Sequence, residues 1–80
     1  MCGIIGITSN KSVSSAIINS LRKLEYRGYD SAGIATLSNG VINEVKSEGR
    51  VDNLEKKLAI KNISGSVGIG HVRWATHGIP

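Results

Sequence analysis

The Asn39-Gly40 pair, set between two strand-like runs, constrains this chain more than any other feature. A two-residue type I′ turn needs positive φ at both central residues, which Asn and Gly adopt readily. Ser31–Leu37 (SAGIATL) and Val41–Lys46 (VINEVK) therefore read as an antiparallel hairpin in the middle of the chain. In its second strand Val41, Asn43 and Val45 share one face, and Glu44 and Lys46 lie opposite.

A helical stripe flanks the hairpin on each side. Val13, Ala16, Ile17, Leu21 and Leu24 recur at spacings of three and four, one apolar face of a helix of about three turns. Ser12 is the expected N-cap and Gly28 the closing residue, with Arg22, Lys23 and Arg27 near the negative end of the dipole. Val51, Leu54 and Leu58 form a second, shorter stripe. Asp52 with Glu55 resembles a capping box at its start, and Asn62–Gly65 breaks it. Gly3–Thr8 (GIIGIT) reads as a buried strand, Ser66–Val72 (SVGIGHV) as a fourth strand, and Arg73–Pro80 as a loop. The expected order is β-α-β-β-α-β, an α+β sheet with its helices on one face.

Composition limits what such a sheet can bury. Eighty residues make one domain and not two. No Phe, one Trp and ten Gly leave few large side chains for a core. One Cys excludes an internal disulfide and a Cys-rich zinc module. No run is long and apolar enough for a membrane span, and Met1–Gly6 lacks the basic leader of a signal peptide, so a reducing cytoplasm is the expected location. Ten Lys+Arg against six Asp+Glu give a net charge of +4. The basic residues are dispersed, in runs of two at most and without interleaved aromatics. They read as a solvated surface, not as a nucleic-acid interface.

Three clusters carry reactive or recognition chemistry. Removal of Met1 would leave Cys2 with a thiol and a free α-amine on one residue. An α-amine of pKa ~7.7–8.0 is a usable base near neutrality, and a neighbouring thiol can be activated by it. The alternative is an incidental small hydrophobe. Tyr26-Arg27-Gly28-Tyr29-Asp30-Ser31-Ala32-Gly33 is polar and aromatic beyond what a turn needs; it reads either as a structural linker or as a wall of a site facing Cys2. In His71-Val72-Arg73-Trp74-Ala75-Thr76-His77-Gly78, Arg73 offers a planar fork for a carboxylate, Trp74 a wall, Thr76 a hydroxyl and His77 a donor or acceptor. Together they suit a small zwitterion such as an amino acid. A cation–π pair of Arg73 with Trp74 that only packs remains open, and metal binding by His71 and His77 is disfavoured by their spacing. His71, alternating within a strand-like run, reads as structural.

MCGIIG, LEYRGYDSAG and GHVRWATHG, in that order, resemble the motifs of class II glutamine amidotransferases over nearly the whole chain. The wording of the last two favours the branch that makes amino sugars. The resemblance implies an N-terminal nucleophile (Ntn) hydrolase-type α/β/β/α sandwich, of which residues 1–80 would be the N-terminal part. It implies that Cys2 attacks the side-chain amide of glutamine, with its own α-amine as base, forming a thioester and releasing ammonia. Arg27 and Gly28 would flank the nucleophile. Arg73 would hold the substrate carboxylate, and Trp74, Thr76 and His77 would shape the pocket. No metal and no cofactor is expected. The ammonia would convert fructose 6-phosphate to glucosamine 6-phosphate on an isomerase module. That module, the oxyanion-hole Asn-Gly and an Asp for the substrate amine lie beyond these residues in the family. The 80 residues alone are therefore expected to be inactive, with the remainder of the synthase a candidate partner chain. The alternative is a non-catalytic remnant or binding module.

Overall fold

A computed structural model describes residues 3–25, 30–61 and 63–73. Its elements run β1 (Gly3–Thr8), α1 (Ser14–Leu24), β2 (Ser31–Ser38), β3 (Val41–Glu48), α2 (Val51–Ile60) and β4 (Val67–Arg73). The order β-α-β-β-α-β is the expected one. Asn39 and Gly40 have φ of 53° and 77°, and Ser38 pairs with Val41, closing the two-residue turn.

The four strands form one antiparallel sheet in the order β1-β4-β2-β3. The last strand thus inserts between the first and the hairpin. Side chains alternate across the sheet. Ala32, Ile34, Thr36, Val45, Ser47 and Val72 lie on the buried face with the helices, while Ile4, Leu37, Ile42, Val67 and Ile69 project from the opposite, open face.

Glycines on β4 set how closely α1 approaches. A Cβ at Gly68 would lie 2.8 Å from Ile17 Cδ1, and one at Gly70 would collide with Ile17 Cγ2. Their absence lets Ile17 and Leu21, both fully buried, rest on the strand backbone. Val51, Leu54 and Ile63 complete the same core.

Five details depart from the sequence expectation. First, Ser12 does not cap α1. Val13 occupies that position without a side-chain cap bond, its amide donating to Gly65 O at 2.9 Å. Ser14 Oγ donates to Ile63 O at 2.8 Å, so the helix start is tied to the segment before β4. Second, α1 ends at Leu24 with Glu25 as its C-cap, and Gly28 lies outside the described residues. Third, Asp52 and Glu55 do not form a capping box; both bind Arg22 Nη2, at 2.9 and 2.6 Å. Hydrogen bonds to Glu55 and then Asp52 raise the Arg22 pKa. The carboxylate that caps α2 belongs to Glu25, whose Oε2 accepts from Val51 N–H at 2.8 Å. Fourth, Ile18 is buried where Ala16 was expected, because α2 packs along that side of α1. Fifth, β1 is a sheet edge, not a buried strand: Ile5 and Ile7 pack inward while Ile4 is 78% exposed.

Candidate active site

The register gathers the flanks of the three motifs at one end of the sheet. Gly3, which follows Cys2 in sequence, pairs with Val72 on β4. Val72 pairs on its other side with Ala32 on β2, and Arg73 pairs with Ser31. Strand spacing of ~4.8 Å puts Gly3 and Ala32 about 10 Å apart across Val72. Asp30 links the same end together: its amide donates to Arg73 O at 2.8 Å and its carbonyl accepts from Gly49 N–H at 2.7 Å. Ser31 Oγ donates to Asp30 Oδ1 at 3.0 Å. Arg73, expected in a loop, is instead the last residue of β4 and half-buried, because the ladder with β2 runs on to Ser31.

A cleft of about 380 Å³ opens here, between the ends of β2, β3 and β4 and the flank of α2. Three cations line it, Lys46, Lys57 and Arg73, against one carboxylate, Glu48. Lys57 Nζ donates to Lys46 O at 2.9 Å, which draws α2 to the strand. Ser31 adds a hydroxyl and His71 an imidazole from the open face, whereas Ser47 turns to the packed face, where its Oγ donates to Glu48 O at 3.2 Å. A surplus of positive charge around a polar floor suits a small ligand bearing a carboxylate.

Of the site residues expected from sequence, the described structure places Arg73 in this cleft. Cys2, Arg27, Gly28, Trp74, Thr76 and His77 lie outside the described residues. Sequence reasoning did not anticipate that Lys46, Ser47, Glu48 and Lys57 would line the same space. Their convergence follows from the pairing of Ser31 with Glu48 and Ala32 with Ser47, a cross-strand register that no local motif encodes. Among the described residues no three His, Cys, Asp or Glu side chains gather as a metal site. No described helix is long and apolar enough to cross a membrane.

An antiparallel four-stranded sheet with both helices on one face, in β-α-β-β-α-β order, is consistent with the N-terminal part of an Ntn-type domain. Comparison with known proteins gives the more particular likeness. The chain is 58% identical over all 80 residues to the isomerizing glutamine–fructose-6-phosphate aminotransferase of Brucella abortus. Identity is also 58% over 80 residues to the protein of that name from Clostridium acetobutylicum, and 50% to that from Mesorhizobium japonicum. In each case the alignment takes in 100% of this chain and 13% of the relative. The resemblance read from the three motifs is thus borne out: the chain is similar along its whole length to the N-terminal part of these aminotransferases. It spans about an eighth of their length. No family model matches the chain.

Proposed function

We propose that residues 1–80 are the N-terminal part of a glutaminase domain that supplies ammonia for glucosamine 6-phosphate synthesis from fructose 6-phosphate. The observation that carries this reading is the convergence of Gly3, Ser31 and Arg73 at one sheet end, beside a cleft rich in positive charge. The similarity of all 80 residues to the N-terminal part of proteins named for glutamine and fructose 6-phosphate supports the choice of substrates.

In this reading Met1 is removed and the Cys2 α-amine takes the thiol proton. The sulfur attacks the side-chain amide carbon of glutamine. The proton passes to the leaving nitrogen, the C–N bond breaks, and ammonia departs from a thioester. Water then cleaves the thioester and releases glutamate. Arg73 holds the substrate α-carboxylate as a bidentate partner. Trp74, Thr76 and His77 wall the pocket, and Arg27 and Gly28 flank the nucleophile. The oxyanion donors of the family lie outside these residues. Removal of one such donor typically costs ~100–1000-fold in rate, so the 80-residue chain alone turns over little or no glutamine.

A glutamine-shaped chloroketone tests this reading without requiring turnover. Displacement of chloride by the Cys2 thiolate should label Cys2, and L-glutamine and Arg73→Ala should each slow the labelling. Labelling at one rate in all three conditions would contradict it. Ammonia release abolished by Cys2→Ala but robust in the unaltered chain would contradict the expected inactivity.

The open sheet face favours a second reading, a binding module that docks the remainder of a synthase. Ile4 and Ile42 are 78% and 72% exposed there, and neighbouring exposed apolar side chains of this kind mark interaction surfaces. A chain that stays monomeric and leaves the rest of a synthase uncaptured would argue against docking.

A further inference from the structure

Among the polar side chains of the described cleft to which the reading above gives no contact with substrate, His71 stands nearest to Arg73 in the strand. His71 lies on the open face of β4, two residues before Arg73, so the two Cα atoms are about 6.7 Å apart with their side chains on one side of the sheet. Both line the cleft. The position of the imidazole is set by a glycine. Gly33 is the β2 partner of His71, and a Cβ built on it would meet Nε2 at 2.6 Å, Cδ2 at 3.2 Å and Cε1 at 3.3 Å. The ring therefore lies over the Gly33 backbone, with Lys46 beyond it as the β3 partner of Gly33. It is half-buried and has no hydrogen-bond partner among the described residues.

A structural histidine in a strand ordinarily satisfies at least one ring nitrogen with a neighbour, because a partly desolvated polar group without a partner costs free energy. Here the ring is seated and its nitrogens are left to the cleft. No ring nitrogen of His71 is a buried atom lacking a partner, so both are accessible from the cleft, where a ligand would meet them. Arg73 is on the same wall and carries the charge that a carboxylate would meet. Ser31, the β2 partner of Arg73, provides a third polar group on that wall.

We propose that His71 is a second ligand-binding side chain of this cleft. It hydrogen-bonds a polar group of a small amino-acid carboxylate whose charge Arg73 holds, and Gly33 is the platform that gives the ring its place. The proposal rests on the glutaminase reading for the identity of that ligand. It assigns to His71 and Gly33 a part in binding that the nucleophile and pocket residues do not cover.

The test reads binding rather than turnover. The full 80-residue chain, labelled with ¹⁵N-arginine and ¹⁵N-histidine, is titrated with L-glutamate, with L-glutamine and, separately, with inorganic phosphate. The His71 ring signals should move with the same midpoint as the Arg73 Nε–H signal. Phosphate, attracted by three cations but lacking the amino-acid shape, should move them less. Gly33→Ala should displace the ring and weaken L-glutamate binding about fivefold, the loss expected for one hydrogen bond, with Arg73 still responding. If Gly33→Ala does not fold, His71→Gln on the intact glycine should give the same weakening. Movement of Arg73 without His71 overturns the proposal and leaves the glutaminase reading standing. A response to phosphate equal to that to L-glutamate overturns it in favour of a general anion cleft. Unchanged affinity in the folded variant also overturns it. If neither signal moves with any amino acid, the proposal and the glutaminase reading fail together.

Discussion

Glycines decide the fit of this chain residue by residue, and they do so unequally. Gly70 leaves the space that Ile17 Cγ2 fills, whereas the nearest heavy atom to a Cβ on Gly6 is Ile69 Cγ2 at 3.9 Å. Gly70→Ala should therefore overpack the α1–β4 contact and cost about 1–3 kcal/mol in urea unfolding. Gly6→Ala should stay within about 0.5 kcal/mol. Equal losses would mean that α1 does not lie as close to β4 as described. Neither role is legible in the sequence, where both are glycines in apolar runs. The turn at Asn39-Gly40 was legible, because its φ demand is met by the two residues themselves. The site shows the same division. Arg73 was singled out from its chemistry and its motif, and it lines the cleft. The setting of His71 on Gly33 depends on a partner 38 positions earlier in the chain.

Element boundaries follow tertiary partners more than local caps. β1 begins and ends where its apolar run does, and the hairpin lies where its turn places it. The helix starts do not follow their local signals. Ser12 and the Asp52/Glu55 pair looked like caps, but the groups that accept from the backbone at these helix starts come from elsewhere: Gly65 O for α1, Glu25 for α2. A carboxylate at the C-terminal end of α1 is unfavourable to that helix's own dipole and favourable at the N-terminus of α2. Its side chain is only 11% exposed, and Oε1 also reaches Arg50 Nη2 at 3.4 Å. Glu25→Ala should then cost about 1 kcal/mol or somewhat more, measured by urea unfolding, and speed hydrogen exchange at Val51. Unchanged exchange at that amide would contradict the cap. Arg22→Ala should behave differently, because its carboxylates are 67% and 55% exposed. Its effect on stability should shrink in 1 M salt, where the Debye length falls to ~3 Å.

At the scale of the molecule, one sheet has a packed face and an open one. The packed face carries the core, and the open face exposes Ile4, Ile69, Leu37, Val67 and Ile42. Such a surface drives association in water. The double variant Ile42→Lys, Ile69→Lys should lower self-association in sedimentation experiments and change unfolding free energy little, since both side chains are more than half exposed. A large loss of stability would place them in a core instead. The sequence announced the α+β order and the likeness to the aminotransferases, because periodicity and motif wording are local. The insertion of β4 between β1 and β2, which draws the flanks of the three motifs together, is non-local and emerged from the register alone. The proposed function needs one covalent event before any of this geometry matters, the exposure of the Cys2 α-amine. Intact-mass and N-terminal peptide mass spectrometry of the protein from its native cell tests that event directly. A mature chain that begins at Cys2 with an unmodified amine is the expected result. A retained Met1, or an acylated Cys2, would contradict it.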